Sequence, residues 1–255
     1  MRSNRLQLNP SKTEFLWCAS SRRQHQIDRS NFQVGQDVVP PATMVRNLGL
    51  YMDNDLSMSV HITKLVGTCF GLLRQIRSIK RSLPNEAMLS LITSFITSRL
   101  DYCNVAFAGL PQHSIDRLQA VLNAAAHLSC GARKFDHITP LLRDRLHWLS
   151  VPERVEYKLC LLVYKCLHNL APRYLSDNIT PLSTIPSRQR LRSSRTADVL
   201  VPATSIGAGD RAFCVAGPRS WNRLPGSVQE STSLSHFKTN LKTHLFCRSY
   251  GIVDD

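Results

Sequence analysis

The sequence predicts an α+β fold: short strands first, then a mainly helical body, then a small C-terminal region of helix and irregular chain. Three observations carry this. Over residues 89–175 apolar side chains recur every three or four positions, the period of helices that bury one face. Over residues 12–18 and 45–51 the apolar residues instead follow strand patterning, short and flanked by turn-forming residues. Beyond residue 176 the composition shifts to Ser, Thr, Pro and Arg, which ends the packed body. The expected divisions are therefore 1–56, 57–176 and 177–255.

With 255 residues and 43% hydrophobic content, the chain has enough material to bury a real core. Lys and Arg number 32 against 18 acids, and the resulting charge of +14 suits a polyanionic partner. The eight cysteines stand singly, with no CxxC pair of the kind that holds structural zinc. Their apolar helical neighbours predict reduced, buried thiols and a cytoplasmic or nuclear setting. No apolar run approaches the roughly 18 residues of a membrane span, and the N-terminus has no signal-peptide core.

Residues 2–8 read as the end of a helix stopped by Asn9-Pro10. In the strand at 12–18, Phe15 and Trp17 share one face and Leu16 and Cys18 the other, so cover on both sides is expected. A polar linker spans 19–30. Phe32–Val34 and Val38-Val39 flank Gly35-Gln36 and predict a hairpin. The strand at 45–51 contains Gly49, which marks a bulge or a close backbone approach. Residues 52–56 form a turn in which Asp53 and Asp55 fit a weak cation site or, more simply, a solvated turn.

Ser57 or Ser59 can cap a helix that runs to Ile79. No acid lies between Leu56 and Asn85, and Arg74, Arg77 and Arg81 follow a three-then-four spacing on one helical face. Such a stripe can track a phosphate backbone. It fits a solvated face opposite the core equally well. Pro84 opens the next helix, expected to bury Leu89, Ile92, Phe95, Ile96 and Leu100. A helix over 114–128 ends at Gly131, and a short one carries Leu141 and Leu142. Trp148 reads as a core anchor, and Pro152 opens a helix to Leu170. Residues 177–194 read as a linker whose Arg188, Arg190, Arg192 and Arg195 offer several phosphate contacts, or form a solvated basic loop. Residues 207–217 read as irregular chain, Trp221 and Leu224 as packed, and Ser233 as the cap of a last helix.

Chemistry is sparse. The chain has no GxGxxG, no P-loop and no HExxH. Cys160, Cys166 and His168 share one helix only in part and do not make a zinc set. Asp101, close to Arg99, is expected to cap or pair. No catalytic or metal-binding residue is assigned.

The blocks NRLQLNPSKTEFL, VRNLGLYMDNDLSMSVHI, SRLDYCNVAFAGLP, LQAVLNAAAHL and DHITPLLRDRLHWLSVPERVEYKLCLLVYKCLHNLAPRYL follow in that order, and GDRAFCVAGPRSWNRLPGSVQESTSLSHFKTNLKTHLF closes the chain. Together they resemble the downstream part of the reverse transcriptase, an RNA-directed DNA polymerase, of non-LTR (LINE-type, jockey-like) retrotransposons. The resemblance covers nearly the whole chain. It implies that residues 1–56 are a palm edge and that 57–129 form a thumb lying across an RNA or DNA template–primer duplex. It further implies that Lys12 lies near nucleotide phosphates. Leu48-Gly49-Leu50 would be the strand turn that holds the primer end. Arg74, Arg77 and Arg81 are chosen by charge and spacing, not by a family role.

The parent enzymes use Mg²⁺ held by palm aspartates that precede the matching blocks. The resemblance therefore implies a truncated remnant that begins in mid-element, binds nucleic acid, and needs no cofactor of its own. The contrasting reading is a self-associating scaffold, in which Phe15, Trp17, Leu48 and Leu50 stay exposed at the palm edge.

Overall fold

The computed structural model describes residues 9, 12–27, 29–34, 37–133, 135–186, 197–204 and 207–252. It shows a mixed α+β fold, with short N-terminal strands followed by a mainly helical region. The chain divides into two compact units, Met1–Lys64 and Leu65–Asp255.

In the first unit β1 (Phe15–Leu16) pairs in parallel with β4 (Pro41–Ala42). Between them β2 (Phe32–Val34) and β3 (Asp37–Val39) form the expected hairpin, with Phe32 opposite Val39. The strand read over 12–18 shrinks to two residues, and Trp17 and Cys18 lie exposed instead of covered. Phe15 nevertheless stacks on Phe32 at 4.7 Å and meets Trp17 edge-on at 5.0 Å. The supposed linker at 19–30 holds a 3₁₀ helix, Ser21–Gln26. Gln24 fixes it by donating to the carbonyls of Ala19 and Asn54, each at 2.8 Å.

The single strand read at 45–51 is in fact a hairpin, β5 (Met44–Asn47) against β6 (Leu50–Asp53). Leu48 and Gly49 make its turn with φ of 46° and 88°. Two successive positive φ angles match the right-handed twist of the flanking strands, so Gly49 serves the turn and not a bulge.

Helix α1 (Ser59–Ser78) is capped by neither expected serine alone. The Asp53 carboxylate accepts hydrogen bonds from Ser57 Oγ (2.9 Å), Met58 N–H (2.8 Å) and Ser59 N–H (3.0 Å). Burial raises the Asp53 pKa, but these hydrogen bonds together outweigh it and hold the carboxyl below its usual value of 3.8. A carboxylate so engaged closes the helix start, not a cation site. Its stabilisation is complete above the unfolded pKa and is lost as pH falls through the lowered folded value. Asp53→Ala should cost about 1–2 kcal/mol at neutral pH, with the deficit vanishing in acid. Thermal unfolding of both forms between neutral and acidic pH measures this.

In the second unit the helical rod after Pro84 comprises α2 (Asn85–Ile92), a π-helical stretch (Thr93–Thr97) and α3 (Ser98–Asp101). Met88, Ile92, Ile96 and Leu100 are buried, each four residues from the last. The wider π turn keeps that four-residue step in phase and leaves Leu89 and Phe95 exposed, against expectation. Helix α4 (Gln112–Ser129) buries Ile115, Leu118, Val121, Leu122 and Ala125 as its period predicts, and Gly131 turns the chain at φ 64°. A short α5 (Ile138–Pro140) runs into a π turn (Leu141–Arg145). Helix α6 (Val151–Leu167) carries Pro152 in its first turn.

The remaining helices are α7 (Arg173–Ser176), α8 (Phe213–Trp221), α9 (Gly226–Gln229) and α10 (Leu234–Tyr250). Ser233 caps α10 by accepting from His236 N–H at 3.2 Å. Residues on both sides of the expected boundary at 176 fill one core, in which Val163 and Tyr164 of α6 join Trp221, Phe237, Leu241 and Leu245. Two readings of this region need correction. Residues 177–186 are not all linker, because Ile179 and Leu182 are buried and Pro181 bridges to Val199. The region read as irregular around Phe213 is helix α8. Its Gly217 permits a close approach, since a Cβ there would sit 3.0 Å from Val163 Cγ2.

Trp148 is only half-buried, so the anchoring tryptophan of this core is Trp221, 1% exposed. The cysteines are mixed and not mostly buried: Cys69, Cys160 and Cys166 are buried, whereas Cys18 and Cys103 are exposed.

Candidate nucleic-acid interface

The basic stripe begins on α1, whose C-terminal half exposes Arg74 and Arg77 one turn apart. The α-helix stops at Ser78, and Arg81 sits in the 3₁₀ turn Lys80–Ser82. A single continuous helical face therefore does not carry all three arginines, as the spacing had suggested. Among the described residues no carboxylate pairs with Arg74, Arg77, Lys80 or Arg81. Next to them a Cβ built on Gly67 or Gly71 would meet nothing within 4 Å, so this side of α1 is open.

The turn after α1 brings the basic groups against the end of α4. A cleft of about 470 Å³ is lined by Arg77, Lys80, Ala124, His127, Leu128 and Ala132. Lys80 Nζ would lie 3.6 Å from a Cβ on Gly131, which places the ammonium over the loop that leaves α4. His127 Nδ1 is buried without a hydrogen-bond partner. Two cations, Arg77 and Lys80, and no acid on the lining make this cleft suited to an anion. A phosphate oxygen can accept from guanidinium, ammonium and imidazole N–H at once.

Lys80 and His127 were not singled out in the sequence. Lys80 adjoins Arg81 in a basic run and could have been; His127 reaches the cleft only through tertiary packing.

The other expected site residues lie elsewhere. Lys12 is exposed in the first unit, and its N–H donates to Asn9 O at 3.1 Å. Gly49 is exposed at the tip of the β5–β6 hairpin. Arg188, Arg190, Arg192 and Arg195 fall outside the described residues. Asp101 pairs as expected, although its partner is Arg154 at 2.7 Å and not Arg99.

Thiol chemistry has no support here. Burial pushes the Cys69 thiol up to about 11, against a smaller downward pull from Arg99. Burial likewise raises Cys160. Among the described residues no three His, Cys, Asp or Glu side chains are grouped to hold a metal. No described helix is long and apolar enough to cross a membrane.

The fold and this cleft together define an α+β protein whose helical body presents, at Arg74, Arg77, Lys80 and Arg81, a cationic surface that no described carboxylate pairs. No protein-family model, no curated protein and no solved structure matches the chain.

Proposed function

We propose that the chain binds the phosphate backbone of a nucleic-acid duplex through α1 and its cleft, as the thumb-like portion of a reverse-transcriptase-like protein. The observation that carries the reading is the set of acid-free cations at Arg74, Arg77, Lys80 and Arg81 beside the cleft. The sequence blocks quoted above supply the polymerase resemblance. They resemble a part of the family downstream of its metal-holding aspartates, and the proposal is confined to what this stretch binds.

Fluorescence anisotropy with a labelled RNA–DNA or DNA duplex tests it. Binding should weaken steeply with salt, by about 0.9 in log affinity per log salt for each phosphate contacted. Salt-independent binding, or none at low ionic strength, would sink the proposal.

A second reading, self-association, is favoured by the apolar exposure of the strand-bearing unit: Trp17 45%, Phe32 48%, Val38 60% and Leu48 83%. On this reading light scattering should detect dimers or larger species at micromolar concentration. Leu48→Lys and Val38→Lys together should shift them to monomer. A monomer in the unmodified chain rejects the idea.

A further inference from the structure

A second pocket, of about 330 Å³, lies in the helical unit and shares no residue with the basic cleft. Its lining combines two aromatic side chains, Trp148 and Tyr157, with the ammonium groups of Lys158 and Lys242 and the imidazole of His147. Arg154 and Asp101 also line it, but these two neutralise each other across 2.7 Å. Lys158 and Lys242 are exposed, and no described carboxylate pairs with either.

The pocket is held in place from several sides. Arg154 Nε donates to Leu149 O at 3.0 Å, and Tyr250 OH donates to Trp148 O at 2.8 Å. His147 holds a left-handed φ of 50°, a conformation that a non-glycine residue adopts at a cost and that recurs at ligand sites. Among the described residues Asp101 Oδ1 and Asn104 Oδ1 are closed to solvent and receive no hydrogen bond, and Asn104 is 3% exposed.

We propose that this pocket binds one nucleotide through its base and a terminal phosphate. Trp148 and Tyr157 offer aromatic surface to a base, as single-strand-binding sites do. Lys158 and Lys242 match the charge of a phosphate monoester, about −1.5 to −2 at neutral pH. The proposal goes beyond duplex binding and stands without it, because the two sites use different residues. The same chemistry is offered by a free nucleoside monophosphate and by the 5′-phosphorylated end of a single strand.

Isothermal titration of the full chain with adenosine 5′-monophosphate and with adenosine tests the site. The monophosphate should bind saturably and at least about tenfold more tightly than the nucleoside. Lys158→Ala with Lys242→Ala, both at exposed positions, should erase that difference, whereas Arg74→Glu with Arg77→Glu should leave it intact. Absence of saturable binding, equal binding of adenosine, or indifference to the lysine changes overturns the proposal. Competition with a short single strand distinguishes the sources. Displacement by the 5′-phosphorylated strand alone assigns a strand end, and displacement by neither strand assigns the free nucleotide. Equal displacement by phosphorylated and hydroxyl-ended strands contradicts recognition of a terminal phosphate.

Discussion

Reversing Arg74, Arg77 and Arg81 to glutamate should reduce duplex affinity by about a hundredfold or more at low salt. Each reversal replaces an attraction to phosphate with a repulsion, at positions that are exposed and form no ion pair among the described residues. Neutral replacement by alanine should have a milder effect and flatten the salt dependence by roughly 0.9 per contact removed. Because Arg81 stands in the 3₁₀ turn beyond α1, its single replacement reads out whether the phosphate path continues past the helix end.

Net charge also falls in such a variant, and a loss of long-range attraction could imitate the loss of a site. The control reverses Arg143, Arg173 and Arg219, which lie 2.6, 3.8 and 3.0 Å from Asp144, Asp177 and Asp210. It changes the net charge equally and should lower affinity far less. Anisotropy titrations of both variants against one duplex decide the matter. Equal losses would mean that overall charge, and not the α1 surface, governs binding.

The largest stability effect is expected at Trp221. Its indole is 1% exposed, with ring centroids 5.7 Å from Phe237 and 6.5 Å from Tyr164. Its Nε1–H donates to Ala197 O at 2.8 Å, and its own carbonyl accepts from Gln229 Nε2 at 2.9 Å. Trp221→Ala removes the packing and leaves the Ala197 carbonyl without that donor. The expected cost is about 3–5 kcal/mol, a large part of the roughly 5–15 kcal/mol that stabilises a typical fold. Urea unfolding followed by far-ultraviolet circular dichroism measures it without relying on the lost fluorophore. Trp148→Ala, at the half-buried pocket wall, should cost clearly less. If the two variants unfold at the same midpoint, Trp221 is not the centre of this core.

Much of the helical body was readable from residue order. The apolar stripe of α4, the Pro152 start of α6 and the Ser233 cap of α10 each depend on residues within a few turns of one another, so local pattern suffices. The β2–β3 hairpin was legible for the same reason. Helix α8 was not. Residues 207–217 read as irregular chain, yet Gly217 is what lets this helix lie close on Val163, a contact 54 positions distant that carries no local signature. Asp53 was hidden likewise: among turn residues it looks solvated, and only the return of the chain at Met58 and Ser59 puts amide N–H groups on its carboxylate.

Of the candidate site, the arginines on α1 were visible because charge and helical spacing are properties of a single segment. The cleft was not, because it forms only where the turn holding Lys80 meets His127 and Ala132 at the far end of α4. The nucleotide-sized pocket assembles from α3 and the turn after it, from α6 and the turn before it, and from α10, three separate stretches of chain. Residue order by itself determined where the helices run and where positive charge accumulates, since both follow from neighbours in sequence. Tertiary structure alone decided which cations border a concave surface, because concavity arises from segments that the chain brings together only on folding.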